Sequence, residues 1–197
     1  MKQESSPGDE VRLAFEGSVA TITIDRPAVR NAMDRDAWTV LAGHLEAVTR
    51  SEARVLVLTG AGGHFGTAFS RRGLSLDTGS SWLLPRVVGL QTAKRLAYLA
   101  ETLDAREAHR LGLVTWLVPP NEAGPLTDDL ALRLAAAPPV AVRLDKELLN
   151  HSHERSFREA VAAENTAQVV NIGTDSPTAR EALAQGERPA FTGRWRG

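Results

Sequence analysis

Phe65–Arg86 reads FGTAFSRRGLSLDTGSSWLLPR, which sets one carboxylate, Asp77, in a Gly- and Ser-rich turn immediately ahead of an apolar helix start. A carboxylate there is first of all a capping group. Asp, Thr or Ser can accept from the orphan N–H groups of the helix that begins near Trp82, and Gly79 supplies the tight bend. The same placement also suits chemistry: a carboxylate partly withdrawn from water has a raised pKa and becomes a competent base toward a weak carbon acid. A second Gly-rich turn, Gly60-Ala61-Gly62-Gly63, lies only a few residues upstream with no helix between the two.

Working toward the N-terminus, Val11–Phe15 and Val19–Ile24 are short β-type runs joined by Glu16-Gly17-Ser18, a hairpin signal, and Asp25-Arg26-Pro27 ends the second strand. Trp38, Leu41, Leu45 and Val48 recur at spacings of 3, 4 and 3, which predicts an amphipathic helix over Asp34–Thr49 with Asp34 as its N-cap. Arg54–Thr59, RVLVLT, reads as a strand buried on both faces. After the Gly60 turn the chain passes into the β-compatible Thr67-Ala68-Phe69, and only from Ser80 or Ser81 through Leu84 to Pro85 does it look helical.

Toward the C-terminus, helices are expected over Thr92–Ala100 and Ala105–Leu111, the latter closed by Gly112 at C′. A strand is expected at Leu113–Val118, stopped by Pro119-Pro120. Further helices are expected over Leu126–Ala136, Val140–Asn150, Ser156–Val170 and Ser176–Gln185. The organisation is therefore a flexible leader at 1–10, an α/β core at 11–120 and a helical region at 121–197, with Trp195-Arg196-Gly197 as a mobile tail.

The 197 residues carry a formal net charge of -1, with 43% hydrophobic and 24% charged residues. That balance fits a globular chain and gives no electrostatic case for nucleic acid or an anionic membrane surface. No apolar run approaches the roughly 18 residues of a membrane span. The absence of cysteine excludes disulfides, thiolate zinc sites and a thiol nucleophile, so chemistry falls to oxygen and nitrogen groups in a reducing, cytoplasmic setting. His44, His64, His109, His151 and His153 show no metal-ligand spacing, so no metal is expected.

Several segments in order resemble the crotonase superfamily, the enoyl-CoA hydratase/isomerase family, and most of all members similar to the phenylacetate-pathway enoyl-CoA isomerases. FSRRGLSLDTGSSWLLPRVVG carries the strongest likeness. DRPAVRNAM at Asp25–Met33, RVLVLTGAGGHF at Arg54–Phe65, DAREAHRLGLVTWLVP at Asp104–Pro119 and AFTGR at Ala190–Arg194 agree with it. The resemblance implies a spiral of ββα units followed by C-terminal helices, trimeric or hexameric assembly, and an acyl-CoA thioester as substrate with no separate cofactor. Its implied chemistry is an enolate held by two backbone N–H donors.

Asp77 matches the acid/base position of the isomerase-like members. Arg30, with neighbouring backbone at Ala32, resembles a position that approaches the CoA nucleotide; as a residue type alone, Arg30 is equally a solvated loop arginine. The Gly62 and Gly63 amides are candidates for thioester contact, although read alone the Gly60–Gly63 run is a structural turn that lacks dinucleotide-fingerprint spacing. Trp82, with Leu83 and Leu84, is expected as core or acyl-pocket wall. Lys146 can be placed at a CoA phosphate or on a solvated face, and Arg71-Arg72 in surface ion pairs.

The chain departs from the family pattern where Gly60–His64 runs straight into Phe65–Phe69. Both oxyanion loops and the hydratase glutamates have no recognisable counterpart, and Phe69 stands where one glutamate would. Two readings follow: an enoyl-CoA isomerase with substitute amides at Gly62, Gly63 or Gly79, or a catalytically impaired, shortened crotonase-like pseudoenzyme or internally deleted form with a binding or oligomeric role only. Missing turns would also leave RVLVLT and the Trp38/Leu41/Leu45 stripe uncovered, which predicts self-association.

Overall fold

The computed structural model describes residues 10–60 and 64–195. The expected mixed α/β architecture with helices at its C-terminal end is present. β1 (Val11–Glu16) and β2 (Val19–Ile24) precede α1 (Arg35–Thr49) and β3 (Val55–Gly60). β4 (His64–Gly66), α2 (Ser80–Val88), α3 (Leu90–Leu99), β5 (Thr102–Asp104) and α4 (Ala105–Arg110) follow. The run ends with α5 (Pro120–Ala135), α6 (Pro139–Asn150), α7 (Phe157–Ile172) and α8 (Ser176–Ala184). One sheet has the order β1-β2-β3, and β4-β5 form a separate pair.

β3 corrects one expectation. It is not buried on both faces: its exposure alternates, with Leu56 at 40% and Leu58 at 60%. It sits at the end of the strand order, so a continuous apolar run here makes a half-covered strand. On α1, Leu41 is buried while Trp38 and Leu45 stay exposed.

The chain divides into two compact units that interleave along the sequence. The first takes in Thr23–Val40 and Thr59–Leu126, together with the chain up to Val11. Its core is Leu84, Ala93, Leu96, Leu103 and Ala108, with Val88, Leu111, Leu113 and Val114 packed against them. α2 and α3 supply one side of that core; β5 and α4 supply the other. β4 and β5 pair antiparallel with Phe65 opposite Leu103, and the buried Thr67 hydroxyl donates to the Leu96 carbonyl at 2.8 Å. The strand expected at Thr67–Phe69 is thus displaced to His64–Gly66, and Thr67 spends its hydrogen bond on α3.

α4 begins at Asp104, whose Oδ1 accepts from the Glu107 N–H at 2.8 Å, and ends as expected with Gly112 at C′, φ +79°. The Gly112 N–H reaches the His109 carbonyl at 3.0 Å and the Leu113 N–H reaches the Ala108 carbonyl at 2.9 Å, a Schellman motif. That motif is why Leu113–Val118 is not a strand. The Leu113 and Val114 amides are consumed in closing α4, their side chains complete the core, and the Val114 carbonyl faces His109 Nδ1 at 2.9 Å.

The second unit comprises Arg12–Ile22, Leu41–Leu58 and Thr127–Gly197. α6 packs on α7 and α7 on α8. Ser156 and Glu159 form a capping box that starts α7 where the sequence predicts it. Arg54 ties the turn before β3 to the end of α5 through a 2.5 Å bond to the Ala137 carbonyl.

The C-terminal segment is a strap. Asp175, 8% exposed, accepts from the Thr192 N–H at 2.9 Å, the Gly193 N–H at 2.8 Å and the Thr192 hydroxyl at 3.3 Å. Gly193 has φ +68°, and a Cβ there would lie 2.8 Å from Pro139 Cγ. Trp195, expected in a mobile tail, instead lies so close to Gly173 that a Cβ on the glycine would fall 2.3 Å from its ring. Arg196 and Gly197 lie outside the described residues, as does most of the expected leader. Glu10, counted in that leader, is ordered by Arg26.

Candidate active site

The Asp77 turn is built from the chain that leaves the Ser70–Arg72 3₁₀ turn at Gly73, φ +68°, and enters α2 at Gly79, φ +81°. The Asp77 carbonyl accepts from the Ser80 N–H at 2.9 Å and the Ser80 hydroxyl at 2.5 Å. Its carboxylate makes no cap; Oδ1 accepts from the Thr78 hydroxyl at 3.2 Å. Asp77 is exposed, so the desolvation expected for it is not supplied within the chain. Thr78, beside it, holds φ +50°. For an L residue this costs roughly 1–2 kcal/mol, and a β-branched residue there is an outlier of the kind that gathers at functional turns.

Of the residues expected as core or acyl-pocket wall, Trp82 and Leu83 are not core. Only Leu84 is core; Trp82 is 39% exposed and Leu83 54%. Helix periodicity explains this, because Leu84 faces α3 and β5 while Trp82 lies on another face. Arg86, one turn on, lies over the Trp82 ring at 3.6 Å and donates to the Trp82 carbonyl at 2.7 Å. The indole is thereby pinned by a cation–π contact beside the Asp77 turn.

A second constellation centres on Arg26, which sequence reasoning passes over as a strand terminator. Its side chain is 10% exposed. Nε donates to Glu10 Oε2 at 2.6 Å, one terminal nitrogen donates to the Ala32 carbonyl, and the other pairs with Asp34 Oδ2. The Arg26 N–H donates to Asn31 Oδ1 at 2.8 Å, and the Asn31 N–H returns to the Arg26 carbonyl at 2.9 Å. Within this loop Arg30, φ +54°, and Asn31, φ +60°, are consecutive left-handed residues. Arg30 is exposed and has no ion-pair partner among the described residues. Asn31 also abuts the end of β3: a Cβ on Gly60 would lie 2.9 Å from Asn31 Nδ2. The readable signal for Arg26 is a cation before proline flanked by acids at Glu10 and Asp34.

The electrostatics follow these pairs. The Ala37 N–H and then the Arg26 guanidinium hold Asp34 below the ordinary carboxylate range, while Glu10 and Asp34 raise Arg26. Asp34 N-caps α1 as expected, Oδ1 accepting from Ala37 at 2.9 Å. Elsewhere Arg110 holds Glu107 down, and the Ser156 N–H holds Glu159 down.

The structure thus places Arg30 and Ala32 on one loop and Asp77 and Trp82 on another, with no hydrogen bond or ion pair among the described residues joining the two sets. Gly62 and Gly63 lie outside the described residues. Lys146, on α6, is exposed, as are Arg71 and Arg72. Among the described residues no group of three His, Asp or Glu side chains is placed to hold a metal, and no helix is long and apolar enough to cross a membrane. A cavity of about 190 Å³ among the described residues belongs to the second unit and contains none of the expected site residues; Asp175, Asn171 and Phe191 help line it. Its acid, Asp175, already serves the strap, whereas the Asp77 carboxylate is not engaged in capping.

The profile of the family described as enoyl-CoA hydratase/isomerase matches residues 61–193. The 1,2-epoxyphenylacetyl-CoA isomerase of Escherichia coli is 30% identical over 71% of this chain and 53% of its own length. The human enoyl-CoA hydratase domain-containing protein 2, mitochondrial, is 32% identical over 78% of this chain and 53% of its own length. The chain spans about half the length of the curated relatives it matches. Among solved structures, the enoyl-CoA hydratase/isomerase of Cupriavidus metallidurans superposes with a TM-score of 0.85 at 26% identity, over 96% of this chain and 98% of that one.

Proposed function

The chain belongs to the enoyl-CoA hydratase/isomerase family, and from that premise we propose that it acts on acyl-CoA thioesters as a double-bond isomerase with Asp77 as acid/base. The observation that carries this reading is the Asp77 turn: an ionisable carboxylate unused in capping, beside a strained threonine and a pinned indole. Among the relatives, the 1,2-epoxyphenylacetyl-CoA isomerase supports isomerisation of a CoA thioester. On a 3-enoyl-CoA, the Asp77 carboxylate takes a proton from C2 and the electron pair moves toward the thioester oxygen as a dienolate. The acid then returns the proton to C4, and the double bond moves to C2–C3. Atoms and charge balance without a cofactor, because coenzyme A belongs to the substrate.

The dienolate needs backbone donors, and the amides of Gly62, Gly63 or Gly79 are the candidates. Each donor absent relative to a complete oxyanion hole slows turnover by on the order of 10²–10³. Hydration is the weaker assignment, since Phe69 stands where a hydratase glutamate is expected.

A second reading is favoured by the exposure of Asp77 and by the span of about half a relative's length. It is a crotonase-like protein that binds CoA thioesters, or assembles with copies of itself, without turnover. Adding a 3-enoyl-CoA and following the absorbance of the conjugated thioester separates the two. A rise proportional to protein supports isomerisation, CoA binding without a rise supports the second reading, and neither signal from a protein that also sediments as a monomer overturns both.

A further inference from the structure

We propose that Arg26 is a positioning residue for coenzyme A binding: its guanidinium fixes the loop that presents Arg30 to the anionic nucleotide end of the ligand. The inference rests on the acyl-CoA reading above and adds to it a residue that never touches the ligand.

Arg30 is an exposed cation without an ion-pair partner among the described residues, and it sits in the left-handed region beside a second left-handed residue, Asn31. Two adjacent L residues hold that conformation only where their surroundings over-determine it. Arg26 adds determinants from both sides of the loop to the turn's own bonds, Arg30 N–H to the Pro27 carbonyl at 3.2 Å and Ala32 N–H to the Val29 carbonyl at 3.1 Å. Its backbone N–H and carbonyl grip Asn31 at 2.8 and 2.9 Å, and its side chain bonds the Ala32 carbonyl and Asp34. Glu10 completes the fork at 2.6 Å and anchors it beside β1. All of this is done with a side chain only 10% exposed, so the Arg26 charge is spent inside the protein while the Arg30 charge is left outside.

A lysine cannot reproduce the arrangement. Its ammonium is a point charge, whereas the acceptors Glu10, Ala32 and Asp34 lie around a planar fork. Arg26→Lys therefore keeps the charge and loses the geometry. Asp34→Asn is the gentler companion, since an asparagine retains the N-cap bond to Ala37 while its ionic arm to Arg26 is removed.

The test is a pair of double-mutant cycles read by calorimetric titration with free coenzyme A on the full chain, using wild type, Arg26→Lys, Asp34→Asn and Arg30→Ala, with Arg30→Ala combined with each of the other two. The expectation is that Arg26→Lys weakens CoA binding by roughly 5- to 30-fold and that Arg30→Ala adds almost nothing in its background. Asp34→Asn is expected to weaken binding by about twofold, again without additivity to Arg30→Ala. Where turnover is measurable, KM rises while kcat stays within about twofold. Independent, multiplicative losses from Arg26→Lys and Arg30→Ala overturn the positioning role, as does a fall in kcat with unchanged CoA affinity. If Arg26→Lys does not fold, additivity of Asp34→Asn with Arg30→Ala overturns it equally. No CoA binding by the wild type overturns the acyl-CoA reading and this inference together, which keeps that failure distinct from the others.

Discussion

Replacing Asp175 by asparagine is expected to free the C-terminal strap, and the expected cost follows from where each carboxylate oxygen points. Oδ1 accepts from the Thr192 N–H at 2.9 Å and Oδ2 from the Gly193 N–H at 2.8 Å. An asparagine side chain has one acceptor oxygen, so in either orientation its NH₂ faces one of these backbone donors. One charge-assisted bond is lost and the other becomes neutral. At about 1.5–3 kcal/mol for a bond to a charged group, the loss is about 3 kcal/mol. If strap release is coupled to global unfolding, Tm falls by about 6–12 °C for a chain of this size. If the strap opens alone, Tm holds and amide exchange at Thr192 and Gly193 accelerates by about 150-fold. Hydrogen exchange read at those two amides, together with a thermal melt, covers both cases. Wild-type protection at both amides with an unchanged Tm refutes the reasoning.

Gly60→Ala places a methyl group 2.9 Å from Asn31 Nδ2 and 3.3 Å from the Ile24 carbonyl. The Asn31 side-chain tip is held by its bond to the Arg26 N–H and the Ile24 carbonyl is backbone, so a loss of about 1–3 kcal/mol in urea denaturation is expected. Asp34, Glu107 and Glu159 are all held below their ordinary range in the folded chain. Their stabilisation is complete above about pH 5 and is lost as pH falls through the depressed folded values. Melts from pH 6 downward should therefore show Tm falling below about pH 4, with the fall reduced in Glu107→Gln. Leu58→Lys places a charge on the exposed face of β3, so sedimentation is expected to show less self-association than in wild type.

The regular elements were legible wherever local chemistry decides them. The β1–β2 hairpin, the Asp34 cap of α1, the Gly112 end of α4 and the start of α7 at Ser156 all follow from residues close in sequence. The misreadings arise where a segment's partners are distant. Leu113–Val118 has the composition of a strand, yet its amides close the preceding helix. RVLVLT has the composition of a buried strand, yet it lies at the end of its sheet. Asp77 and Trp82 are where the pattern puts them, but their exposure depends on what surrounds the turn, and no local signal encodes that. Arg26 and Asp175 went unread because each acts through bonds to residues several positions away, 8 for Arg26 with Asp34 and 17 for Asp175 with Thr192.

The most direct test of the account is proton exchange at the substrate carbons. With a 3-enoyl-CoA in D₂O, wild-type protein is expected to exchange the C2 proton and deliver deuterium to C4 as the 2-enoyl product forms, followed by NMR. Asp77→Asn is expected to lose this by at least about 100-fold, the usual contribution of a positioned acid/base, while CoA affinity stays the same. Equal exchange and product formation in the two proteins would contradict the assignment of Asp77 and the function built on it.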